Sequence, residues 1–277
     1  MANAESPPGT QDGFDREETV RQSPLVPGSS PRWYTRFARA LVAGVRKIAA
    51  RFGPRGALIV ILLFGLSVAV ALSGATVWVY DSVAESDGVA GLDRPLLGYA
   101  LTWRSPWADA IITGYTVIAG PVSMPIIAIG TLIILAIYRR SFTPVIVIAA
   151  AGLGSLFMTI AGKDLIKRVR PPLSEAVAPY EYSPSFPSGH ALNAVVIAGI
   201  IAYLLTLRQQ SRRARVFLII GTAVFAFTIG LSRVFLGHHW FTDVLAGWML
   251  GSAWLALVVI AHRLYLSVQV SRLKGST

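Results

Sequence analysis

Long apolar stretches alternate with short polar ones along the chain, and the stretches are long enough to cross a bilayer. No residue is charged from Gly56 to Tyr80, from Ala110 to Tyr138 or from Ser141 to Gly162. Each of these runs meets the roughly 20 residues that a transmembrane helix requires. Three shorter uncharged runs follow: Ala191 to Leu207, Val216 to Ser232 and Val244 to Ala261. With their flanks they also reach span length. The pattern predicts an all-α protein, a bundle of six transmembrane helices over residues 56–262, followed by a cytoplasmic C-terminal tail over 263–277.

The N-terminal part reads differently. Residues 1–31 are rich in Pro, Ser, Gly and acidic side chains, the composition of a disordered tail. From Trp33 a helical spacing begins: Trp33, Phe37, Leu41, Val45, Ile48 and Phe52, with Arg36, Arg39, Arg46, Lys47 and Arg51 between them. This predicts a basic amphipathic helix over 32–55, lying on an anionic membrane surface or packed on the protein's own cytoplasmic face. The start, Met1 to Gly13, lacks the basic and apolar blocks of a secretory signal.

Composition agrees with a membrane protein. Of the 277 residues 54% are hydrophobic and 14% charged, where a soluble domain carries about 25% charged residues. With no cysteine, thiolate metal sites and disulfides are excluded. The net charge of +11 would suggest nucleic acid in a soluble chain. Here the 25 Lys and Arg are distributed as a membrane topology distributes them. With both termini cytoplasmic, only Arg94, Arg104, Lys163, Lys167, Arg168, Arg170 and Arg233 fall on the outer side. No nucleic-acid partner is expected, and the outer cations call for another reason.

Most of those cations belong to three clusters at helix ends on that same side. The first is Lys163-Asp-Leu-Ile-Lys-Arg-Val-Arg170-Pro171, the second Pro187-Ser188-Gly189-His190. In the third, Ser232-Arg233 is followed six positions later by His239 and then, at four more, by Asp243. In order and spacing they resemble the three-part signature of the type 2 phosphatidic acid phosphatase (PAP2) superfamily, across residues 56–262. The resemblance implies a six-helix membrane lipid phosphatase. It does not extend to the N-terminal tail.

The residues support the same chemistry on their own terms. Phosphate transfer needs charge stabilisation on the transferred oxygens, a nucleophile and an acid for the leaving group. Lys163, Arg170 and Arg233 supply fixed positive charge, and an arginine fork binds phosphate oxygens in pairs. Ser188 can cap the helix that follows, and Gly189 lets backbone approach an anion at the free N–H groups of a helix start. His190 beside them suits a general acid. Of the two adjacent histidines, His239 lies about 40° from Asp243 on a helix and His238 about 140°. That spacing assigns His239 as nucleophile, forming a phosphohistidine, with Asp243 orienting it. His238 is expected at the membrane interface. Lys167, one turn after Lys163, touches either a second phosphate or the membrane surface. The acidic segment 81–109 shows no chemistry, and no metal or cofactor is expected.

The same superfamily holds soluble vanadium haloperoxidases, which six spans disfavour, and glucose-6-phosphatase, which has more spans. A lipid phosphate remains: an undecaprenyl or other polyprenyl diphosphate, toward which the compact, bacterial-looking chain leans, or phosphatidic acid or phosphatidylglycerol phosphate. A non-catalytic lipid-binding or transport member of the fold is the reading from another class. The complete set of basic and acidic site residues disfavours it. The expected location is the bacterial cytoplasmic membrane, with the site on the outer face; the residues give no signal for oligomeric state.

Overall fold

The computed structural model describes residues 36–139 and 142–275. The expected tail over 1–31 lies outside the described residues, as do the side chains of the expected surface helix. The chain divides after Ala57 into two units, and the site belongs to the second, which begins at Leu58. Every regular element among the described residues is helical.

Helix α1 is Arg36–Glu85, and its apolar, span-length part is Leu62–Glu85. A 3₁₀ turn, Gly88–Leu92, leads into the short helix α2, Asp93–Thr102. Next come α3, Pro106–Thr116, and α4, Ser123–Arg139. The remaining helices are α5, Thr143–Ile166, α6, Gly189–Thr206, α7, Arg212–Phe235, and α8, Phe241–Gly275. Among the described residues five helices are long and apolar enough to span a membrane, or six if a bent pair is counted as one span.

Two boundaries differ from the sequence reading. The second apolar run is not one helix: Pro106–Ala119 and Ser123–Tyr138 meet at 45°. Gly120-Pro121 lies at the break, where proline lacks an N–H and its ring clashes with the preceding turn. The last helix also continues past 262 to Gly275, through Arg263, Arg272 and Lys274, so hydropathy marks the end of the span and not the end of the helix.

Helix α6 is the centre of the bundle. Half of its residues are buried (50%), against 17% for Leu62–Glu85 and for Arg212–Phe235. Its Leu192, Val196, Ile197, Ile200 and Leu204 pack with Met124 and Ala128 of α4, Val147 and Ala151 of α5 and Ile229 of α7. The outer faces of the peripheral helices carry exposed Ile126, Ile134, Phe157 and Phe217. Apolar side chains facing outward are what a surrounding of lipid permits. Gly247 of α8 faces the start of α6, where an added Cβ would lie 2.8 Å from the carbonyl oxygen of Ser188. This close approach brings the first turn of α8 against Ser188-Gly189-His190, and with it the two halves of the site.

Candidate active site

The end of α5, the start of α6, the end of α7 and the start of α8 meet at one end of the bundle. The turn after α7 is decisive. Gly237 adopts a left-handed φ of +67°, and a Cβ there would lie 2.3 Å from the carbonyl oxygen of Glu175. The backbone N–H groups of His238 and His239 then donate back to the carbonyl of Arg233, at 3.0 and 3.3 Å. The fold-back sets His239 beside the side chain that precedes it in the motif. Arg104 holds the same turn from outside, donating through Nε and Nη2 to the carbonyl of Phe235 at 2.9 and 2.6 Å.

His239 is 1% exposed and lies between a cation and a carboxylate. Its Nε2 is 3.2 Å from Arg170 Nη1, and its Nδ1 is 3.5 Å from both Asp243 Oδ2 and Ser185 Oγ. A guanidinium only donates, so Nε2 is the acceptor and the ring proton sits on Nδ1, facing the carboxylate. Burial, then the charges of Arg170 and Arg233, hold the imidazole pKa well below its ordinary value. The ring is therefore a neutral base with its lone pair on Nε2, the form that a nucleophile requires.

Asp243 is fully buried and is held from three sides. Arg168 pairs with Oδ1, and Ser185 donates to Oδ2. The Trp240 N–H also donates to Oδ2, at 2.9 Å, a carboxylate reaching back over the first turn of its own helix. Arg168 is fixed in turn by Asp93, through Nη2 to Oδ2 at 2.7 Å. Asp93 accepts as well from the N–H and the hydroxyl of Thr242, at 2.9 and 2.7 Å. The chain Asp93, Arg168, Asp243, His239 therefore runs from α2 to the imidazole ring.

The cations converge beside Nε2. Arg233 is 2% exposed; its Nη2 pairs with Glu181, its Nη1 lies 3.4 Å from Thr116 Oγ1, and its Nε is buried with no partner. Arg170 pairs with Glu181 at 2.8 Å. Lys163 donates to the hydroxyl of Ser183 at 3.1 Å and to the carbonyl of Pro184. Ser188, fully buried, caps α6 by accepting from the Ala191 N–H at 3.4 Å. Beside it, a Cβ on Gly189 would stand 3.0 Å from Thr159 Cγ2. The ring of His190 faces Gly120, where an added Cβ would lie 3.6 Å from His190 Nε2.

The structure thus gathers Lys163, Arg170, Ser188, Gly189, His190, Arg233, His239 and Asp243 at one end of the bundle, with three corrections to how the sequence places their neighbours. His239 precedes α8, which begins at Phe241, so its pairing with Asp243 comes from the turn and not from a shared helix face. His238 is no interfacial residue: it is 3% exposed and donates through Nε2 to the carbonyl of Val177 at 2.6 Å. Burial lowers its pKa to about 4. Lys167 takes a left-handed φ of 51° after the end of α5, so it caps that helix and does not continue it, and is exposed. Asp93, Arg168, Ser185 and Glu181 escaped the sequence reading. Arg168 stood within the first motif as an extra cation, the one signal that could have marked it.

Comparison with known proteins bears on the family. The PAP2 superfamily profile matches residues 143–265, which contain all three clusters. Phosphatidylglycerophosphatase B of Bacillus subtilis (strain 168) is 34% identical over 171 residues, 60% of this chain and 81% of that protein. An undecaprenyl-diphosphatase of Sulfolobus acidocaldarius is 39% identical over 92 residues, 33% of this chain and 35% of that protein. The crystal structure of a transmembrane PAP2-type phosphatidylglycerolphosphate phosphatase from Bacillus subtilis matches with a TM-score of 0.63 at 29% identity, covering 69% of this chain and 93% of that one.

Proposed function

The chain belongs to the PAP2 superfamily as a membrane lipid phosphatase, and from that premise we propose that it removes the terminal phosphate of phosphatidylglycerol phosphate through a phosphohistidine on His239. The buried, unpartnered Nε of Arg233 carries the site reading. A buried donor without an acceptor is costly. Nε and Nη2 form one edge of the guanidinium, and two oxygens of a phosphate would satisfy both. The substrate reading follows a relative of which this chain covers 81%. The shorter archaeal match supports a second reading, the polyprenyl diphosphate toward which the sequence leans.

In the proposed reaction the phosphate oxygens lie on Arg170, Arg233 and Lys163, with N–H groups of the α6 start beneath them. The Nε2 lone pair of His239 attacks phosphorus. The bond from phosphorus to the glycerol oxygen breaks, and His190 gives that oxygen a proton. Attack leaves a positive charge on the His239 ring, which Asp243 balances through Nδ1–H. Water then attacks the phosphohistidine, His190 takes its proton, and inorganic phosphate departs. Fixed cations supply the charge stabilisation that a metal would otherwise give.

The positive-inside pattern supports both termini in the cytoplasm and the site on the outer face of the bacterial cytoplasmic membrane, since Arg208, Arg212, Arg213 and Arg215 lie at the opposite end of α6 and α7. A headgroup at the bilayer surface then enters sideways from the lipid. Phosphate release from a panel of purified lipid phosphates, with the full chain in nanodiscs, tests the substrate: fastest release from phosphatidylglycerol phosphate is expected. Faster release from undecaprenyl diphosphate would select the second reading, and release from none would refute both.

A further inference from the structure

Glu181 occupies the place proposed above for the phosphate. Its carboxylate pairs with Arg233 and Arg170 at once and lies 4.0 Å from Nε2 of His239. No other carboxylate among the described residues pairs with both arginines. The side chain is 30% exposed, where Arg233 is 2% and His239 1%. It therefore enters the cradle from its open side.

Resting on the phosphate-site reading, we propose that Glu181 is an intramolecular competitor for the phosphate site: it yields to the lipid phosphate and returns as inorganic phosphate leaves.

Three observations carry the exchange. First, the carboxylate is an incomplete occupant, since it pairs with Nη2 of Arg233 and leaves Nε of the same edge unsatisfied. A phosphate dianion brings more charge and a third oxygen, so it wins the arginines when it arrives. Second, the empty cradle needs an anion. Two guanidinium groups buried side by side without a counter-charge would be strongly unfavourable, and Glu181 supplies that charge between turnovers. Burial raises its pKa, but Arg233, then His239, Arg170 and His190, bring it down to about 2, so the occupant is anionic at every working pH.

Third, the backbone lets this one side chain move while its neighbours stay fixed. On one side Val177 is held, its N–H on the Leu236 carbonyl at 2.9 Å and its own carbonyl on His238. On the other, the Ser183 carbonyl accepts from Arg170 Nε at 2.6 Å and the Ser185 N–H donates to Arg168 at 2.8 Å. Between these anchors Tyr180 and Tyr182, on either side of Glu181, are exposed. The carboxylate can turn out to water without undoing the anchors that also hold His238 and Asp243. A competitor that is closed for nine-tenths of the time raises an apparent dissociation constant about tenfold. It weakens the hold on product phosphate, while the substrate is still concentrated at the site by its lipid anchor.

The test is binding of inorganic phosphate to the full chain in nanodiscs by calorimetry, for the unmodified chain and for Glu181→Gln and Glu181→Ala. Both variants should bind phosphate about tenfold more tightly, and the inhibition constant for phosphate in turnover should fall by the same factor. Weaker or equal binding in both would mean that Glu181 braces the arginines, and overturns the competition. Hydrogen exchange separates displacement from simple repulsion: exchange at Tyr180, Glu181 and Tyr182 should rise when phosphate saturates the unmodified chain. Unchanged or slower exchange means that the carboxylate stays in place, which also overturns it. No phosphate binding by any of the three chains would instead refute the phosphate site itself.

Discussion

Asp243 Oδ2 lies 3.5 Å from Nδ1 of His239, while Arg170 donates to the opposite ring nitrogen at 3.2 Å. Between them these two contacts fix the tautomer and leave Nε2 as the reactive atom. His239→Ala should therefore lower kcat by about a thousandfold or more, as loss of a covalent nucleophile does. His238→Ala should keep the nucleophile and lose an anchor of the 171–187 segment, so its melting temperature falls while kcat drops far less. Steady-state kinetics and thermal unfolding of both variants check the contrast; equal loss of kcat in the two would refute it.

Arg168 pairs with Asp243 and is itself held by Asp93. Arg168→Ala leaves two buried carboxylates unpaired, which costs about 3 kcal/mol or more of stability. Asp93→Asn keeps the shape and weakens the charge pairing. Both should lower kcat with little change in KM, since the substrate contacts stay. A rise in KM at constant kcat would show that they bind substrate and do not position the ring.

The pH dependence has a definite sign. His239 attacks as a neutral ring, and its pKa is held well below the ordinary value of about 6.5 by burial and then by Arg170 and Arg233. Protonation of His239 should therefore begin to limit kcat only at a pH below 6.5. Arg170→Ala removes one cause of the depression, so the acidic limb should move to higher pH in the residual activity. A limb that stays put, or moves to lower pH, would contradict the electrostatics.

Fixed cations take the place of a metal in the proposed chemistry. Phosphate release should continue at full rate in excess chelator. Loss of activity that magnesium restores would contradict that reading.

The spans and the three clusters were legible because apolar runs and fixed spacings are local properties of the chain. Where a reading failed, the cause was either a local break in a run or contact between distant segments. The break at Gly120-Pro121 was visible as residues, yet a window that sums hydropathy passes over it. His239 was chosen over His238 by a helical angle, although the helix begins two residues later and the turn at Gly237 makes the pairing. Asp93 looked like one more acid in a polar outer segment; only its approach to Arg168 and Thr242, across 75 and 149 positions, gives it a role. Glu181 carries no motif at all. Its place beside Arg170 and Arg233 arises from the path of the 171–187 segment, which spacing does not encode.

A covalent phosphate on His239 is the most direct measure of the proposed chemistry. Mixing the full chain with radiolabelled phosphatidylglycerol phosphate, quenching in alkali within a turnover and mapping the label by peptide should find phosphate on the peptide that contains His239. It should be absent from His239→Ala. An unmodified chain that turns over substrate with no label on the protein, or with the label on His190, would contradict it.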